Sequence, residues 1–130
     1  MNSHLQKLPG YAPLILRFAL AGVFLYFGMS QLTDASIWTG LVPDWALSLS
    51  HMTAVSVIHL NAYLEIVASL MLIMGLYVRW VAAVLAVHLF VIAGSLGINP
   101  LGIRDFGLSF ATLALACFGA DRFCLVKDNA

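Results

Sequence analysis

The sequence has very little charge. Six basic and six acidic side chains make up 9% of its 130 residues, where a globular domain carries about 25%. So few charges cannot cover the polar surface that a water-soluble domain of this size must show. Hydrophobic residues make up 62% of the chain and the mean hydropathy is +0.99. These values predict an integral membrane protein folded as one domain over residues 1–130. The formal net charge is zero and no basic cluster occurs, which argues against a nucleic-acid partner.

Cysteine is nearly absent as well. Cys117 and Cys124 are the two present, with no Cys-x-x-Cys between them. On one continuous helix they would lie about 10 Å apart along the axis, too far for a disulfide. Thiol–disulfide exchange on a cysteine pair is therefore set aside. His4, His51, His59 and His88 show no i, i+4 spacing, and neither metal nor haem is expected. Glycine-rich phosphate or dinucleotide loops are missing too. No small-residue cleavage site follows the leading MNSHLQKLPGYAP, so the first apolar segment reads as a retained, membrane-directing helix.

What is abundant is long apolar runs. Four of them are of bilayer-crossing length, about 20 residues: roughly 13–32, 53–77, 79–98 and 105–120. Val78 and Arg79 are the turn available between the second and third, which must form an antiparallel hairpin. Pro100 and Gly102 end the third span, and Asp105 suits the N-cap of the fourth. The stretch TDASIWTGLVPDWALSLSHM lacks Lys and Arg but holds Trp38 and Trp45, as a short interfacial helix would. The predicted fold is an all-α integral membrane bundle of four antiparallel helices, with that short helix in the first outer loop. Lys7, Arg17, Arg79, Arg122 and Lys127 fall on one side of this topology and Arg104 on the other. The positive-inside bias then puts both termini in the cytoplasm and the protein in the inner (plasma) membrane.

Each span carries polar or small residues along one face. Arg17, Ala21, Phe24, Gly28 and Gln31 align on the first; Asn61, Glu65 and Ser69 on the second. His88 and Ser95 share a face of the third, and Asp105, Ser109, Thr112 and Ala116 line the fourth. Lipid tails cannot satisfy these groups, so the seams should point at one another. For the Ser, Thr and Asn members, interhelical hydrogen bonding is sufficient explanation.

Glu65 and His88 ask for more. Counted from the hairpin, both lie roughly 15–20 Å from the cytoplasmic end, near mid-membrane. A carboxylate there must be protonated, paired or hydrogen-bonded. Glu65 and His88 are accordingly the candidate catalytic, proton-handling pair, against the alternative of a hydrogen bond that merely locks the hairpin. A second polar group, Gln31, His59, Asn61, Asn99, Arg104 and Asp105, gathers at the outer ends of the spans. Arg17, near the opposite end, either snorkels or reaches inward along its seam.

LRFALAGVFLYFGMSQL, NAYLEIVASLMLIMGLYVRW and IRDFGLSFATLALACFGADRFCL together resemble the spans of the DoxX family of small four-helix membrane proteins. The resemblance covers about residues 14–125. That family includes the small membrane subunit of thiosulfate:quinone oxidoreductase and a member of a membrane-bound oxidoreductase complex. By that resemblance Arg17, Glu65, Arg104 and Asp105 occupy recurrent polar positions, whereas Gln31 stands where a lysine is common. The implied function is a quinone-interacting subunit of an oxidoreductase complex. Its ligand-binding candidates are Arg17, Gln31, His59, Asn61, Arg104 and Asp105, and its cofactor is quinone. Besides the lipid bilayer, other subunits or further copies of the chain are the expected partners. The alternative is a non-catalytic membrane anchor or assembly subunit of a larger complex.

Overall fold

A computed structural model describes residues 5–128; His4, with the three residues before it, and Asn129 and Ala130 lie outside them. Five α-helices follow in order: α1 (Ala12–Thr33), α2 (Asp44–Ser50), α3 (Ala54–Met74), α4 (Val78–Leu96) and α5 (Pro100–Phe118). Two single 3-10 turns, Ala35–Ile37 and Thr39–Leu41, precede α2. Among the described residues there is no strand. The four long helices are apolar enough to cross a bilayer, and they pack antiparallel with α2 between the first two spans. The chain is thus a multi-pass membrane protein of the predicted fold. Side chains such as Ile15, Tyr26, Val67, Val87 and Phe110 remain exposed, as a lipid-facing surface requires.

Several boundaries differ from the sequence expectation, each for a local reason. α3 ends at Met74 rather than Tyr77 because Gly75 turns left-handed, with φ 70°. The Leu76 amide then donates to Met71 O at 2.9 Å and the Gly75 amide to Leu72 O at 3.1 Å, closing the helix. Gly75–Tyr77 is therefore the turn, and Val78 and Arg79 already belong to α4. α5 begins at Pro100, not Asp105. Asn99 Oδ1 accepts from the amides of Leu101 (3.0 Å) and Gly102 (2.9 Å), and Pro100 has no N–H to leave unsatisfied. Asn99 is the cap that was expected of Asp105, and Asp105 is free to face the bundle. α5 stops at Phe118, before a left-handed Gly119, so Cys124 is not on the helix of Cys117; both thiols are unpaired.

The closest helix pairs are α1 with α3 and α4 with α5; the consecutive pair α3 and α4 touch less. Gly28 permits the first pairing. A Cβ there would lie 2.8 Å from Ile66 Cγ1 and 3.1 Å from Ala62 O. Three of the four predicted seams turn inward: Arg17, Ala21, Phe24, Gly28 and Gln31 are all buried, as are Glu65 and Ser69 with Asn61 half-buried, and Asp105, Ser109, Thr112 and Ala116. The seam expected on α4 does not: His88 is half-buried and Ser95 exposed, because α4 buries its small and leucine face, Ala82, Leu85, Ala86 and Leu89, instead. In the half of the bundle nearer the termini, Leu20, Leu72, Val78, Leu85 and Leu115 form a filled apolar core. Toward the loop end the four helices stand apart around a space.

Candidate functional site

That space is a cavity of about 240 Å³ between α1, α3, α4 and α5. Its walls are chiefly apolar: Phe24, Phe27, Ile58, Leu89, Ile92 and Leu108. The segment between α1 and α3 closes over it, contributing Trp38, Leu41, Pro43 and Trp45. Two indole hydrogen bonds fasten this cover. Trp38 Nε1 donates to Ser30 Oγ and Trp45 Nε1 to Ser95 Oγ, both at 3.3 Å. The tryptophans were expected as interfacial anchors; the folded chain also makes them part of the cavity wall.

Six of the eight predicted site residues line this cavity: Gln31, Asn61, Glu65, His88, Arg104 and Asp105. Glu65 is held by amides, not by an imidazole. Gln31 Nε2 donates to Glu65 Oε2 at 3.3 Å, and Asn61 Nδ2 donates both to Glu65 Oε1 at 3.2 Å and to Gln31 Oε1 at 2.7 Å. This triangle ties α1 to α3, and it is why a buried carboxyl is tolerated there. The hairpin-locking Glu65–His88 hydrogen bond considered above is not formed. His88 lines the same cavity, yet its Nε2 is buried without a hydrogen-bond partner, the one such side-chain atom among the described residues.

Across the cavity Arg104 Nε and Nη2 both lie 2.8 Å from Asp105 Oδ1. The guanidinium also rests over the Phe27 ring, 4.5 Å from its centroid, and Phe27 meets Trp38 edge-on at 5.7 Å. The arginine charge is thus matched by a carboxylate and rests on one aromatic face. Among the described residues, no three His, Cys, Asp or Glu side chains converge as metal ligands would.

Arg17 and His59 stand apart from the cavity. His59 is partly exposed on α3 and does not line it. Arg17 turns inward at the opposite end of the bundle, only 1% exposed. Its Nε donates to Asp121 Oδ2 at 2.7 Å, and its Nη1 donates to the carbonyls of Leu72 and, at 3.0 Å, Ile73. Those carbonyls belong to the last turn of α3, where the helix's own amides run out; Leu72 O accepts from the Gly75 amide as well as from Arg17. Asp121 is absent from the predicted site, although one signal pointed to it. An arginine within a span needs a counter-ion, and Asp121 is an acid placed just past the end of the fourth helix, beside the start of the first.

The tail after α5 is built around this pair. Asp121 Oδ1 accepts from the Phe123 amide at 2.8 Å, and Val126 N donates to Gly75 O at 3.1 Å. Burial alone would push the Asp121 carboxyl up; the hydrogen bonds from Arg17 and Phe123 outweigh it and hold the group below its ordinary value.

Residues 12–97 match the DoxX family, and the chain belongs to that family. The match takes in α1 to α4 and stops before α5, so Arg104 and Asp105 join the site through the geometry of this chain. Comparisons with curated proteins and with solved structures return no match.

Proposed function

We propose that this DoxX protein is a quinone-interacting membrane subunit of an oxidoreductase complex, with the cavity at the loop end as its quinone site. The observation that carries this reading is a partly open apolar space with polar groups gathered on its walls: Glu65 with its two amides, His88, and Arg104 with Asp105. At about 240 Å³ it is below the ~300–1,000 Å³ of pockets for whole drug-sized ligands. It therefore suits a single ring, with any tail lying among the lipids. Quinone, when bound, supplies a two-electron, two-proton acceptor; a partner protein delivers the electrons. His88 and Arg104 would hold the ring, the aromatic walls would exclude water, and the Glu65 carboxyl would hold or release a proton within the amide triangle.

A second reading has its own support. Gln31, Asn61 and Glu65 satisfy one another and join α1 to α3, a role that needs no ligand. On that reading the chain is a non-catalytic anchor or assembly subunit. Gentle purification from native membranes separates the two. Solvent extraction of the purified protein should yield quinone in near-stoichiometric amount, together with a co-purifying soluble oxidoreductase. Co-purifying proteins without quinone would favour the anchor.

A further inference from the structure

His88 is the odd member of the cavity. Each of the other polar groups on the wall has a partner within the chain: Gln31, Asn61 and Glu65 bond among themselves, and Arg104 pairs with Asp105. The two indoles bond to Ser30 and Ser95. His88 Nε2 alone is buried and unpartnered among the described residues. Buried polar atoms are nearly always satisfied, so an unpartnered one on a ring that lines the cavity asks for a partner from outside the chain, reached by a turn of the imidazole.

The charges on the wall narrow what that partner is. Arg104 is the cation of the lining, and Asp105 already neutralises it at 2.8 Å. A second carboxyl, Glu65, faces the same space. An anion would enter without an unmatched positive charge to meet it, and beside the Glu65 carboxyl. A neutral ring with an oxygen on its edge has no such cost. We infer that His88 is the ligand-anchoring residue of this cavity, hydrogen-bonding an oxygen of a neutral, apolar ring, and that the site rejects small oxyanions. This deepens the quinone reading and rests on it.

The cavity supplies its own probe, because Trp38 and Trp45 line it while Trp80 is exposed elsewhere on α4. The experiment titrates decyl-ubiquinone into the purified full chain in nanodiscs, in a Trp80→Phe background, and follows tryptophan quenching. Wild type should quench saturably. His88→Leu should weaken binding about tenfold, the loss of one buried hydrogen bond. His88→Gln keeps a side chain able to hydrogen-bond and should retain most of the affinity. Millimolar thiosulfate or sulfate should displace nothing. His88→Leu exchanges an unsatisfied polar group for an apolar one, so folding is expected to hold, and thermal unfolding of the same samples checks it. Wild-type affinity in a folded His88→Leu variant, or displacement by the anions, overturns this inference alone. No saturable quenching in wild type overturns both it and the quinone reading.

Discussion

Arg17 Nε lies 2.7 Å from Asp121 Oδ2, with both side chains at most 2% exposed. The pair joins the first span to the tail beyond the last one, and through the carbonyls of Leu72 and Ile73 it also caps α3. Removing one partner strands the other as a buried charge. Arg17→Ala or Asp121→Ala should therefore destabilise by about 3–5 kcal/mol, measured as reversible unfolding in detergent. The pair also sets a pH dependence. Since the folded Asp121 sits below its ordinary value, the stabilisation is complete above the usual carboxylate range, near 4. It is lost as pH falls further, toward the depressed value. Asp121→Asn should flatten this acid limb of the stability curve; an unchanged limb would assign it to another carboxylate.

Gly75 is the second fixed point of that end. Its φ of 70° is left-handed, and a Cβ would lie 2.5 Å from Cys124 Cα. Gly75→Ala should cost at least the ~1–2 kcal/mol of a left-handed alanine, plus displacement of the tail. The Cys124 thiol reports that displacement. Burial first, with Asp121 beside it, pushes this thiol up, so it should alkylate slowly at neutral pH in the native protein. Faster labelling of Cys124 in Gly75→Ala would show the tail released; equal rates would mean the backbone absorbs the methyl.

The fold was legible because apolar length and seam periodicity both survive in a bilayer, where backbone bonding leaves little choice of structure. The α1 seam from Arg17 to Gln31 and the α5 seam from Asp105 to Ala116 are buried as predicted. Local capping was less legible. Asn99 and Pro100 start α5 early, and this choice depends on backbone geometry that a hydropathy pattern does not encode. Six of the expected residues share one cavity, but how they pair was not legible. Gly28 draws α1 against α3, so Gln31 reaches Glu65 before any histidine of the hairpin can. Asp121 and the covering tryptophans escaped for a similar reason: loops and tails carry no periodicity to read.

Orientation is a separate expectation. Lys7, Arg17, Arg79, Arg122 and Lys127 against Arg104 predict cytoplasmic termini and an outward-facing cavity cover. A reporter fused after Ala130 should behave as cytoplasmic, and one inserted near Asp44 as exported. The reverse pattern would invert the membrane face from which the cavity is reached.

Glu65→Gln separates a structural glutamate from a proton-handling one. Glutamine keeps the size and one of the two accepting oxygens of the Gln31–Asn61 triangle, giving up one of its hydrogen bonds, and it cannot exchange a proton near neutral pH. The variant should fold, bind quinone and lose coupled quinone reduction in the intact complex, by about 10²-fold or more. Full turnover at equal folded amounts would leave Glu65 a structural residue.

Whether and where an added quinone labels the protein is the most direct test of the whole account. A photoreactive azido-quinone, irradiated with the purified protein in nanodiscs and mapped by mass spectrometry, reports its site without any mutation. The label should fall on peptides carrying Trp38 or Trp45 and on the α4 peptide around His88, all lining the cavity, and excess decyl-ubiquinone should suppress it. Label confined to lipid-facing residues such as Ile15, Val67 or Phe110, undiminished by competitor, would contradict a quinone site in this bundle.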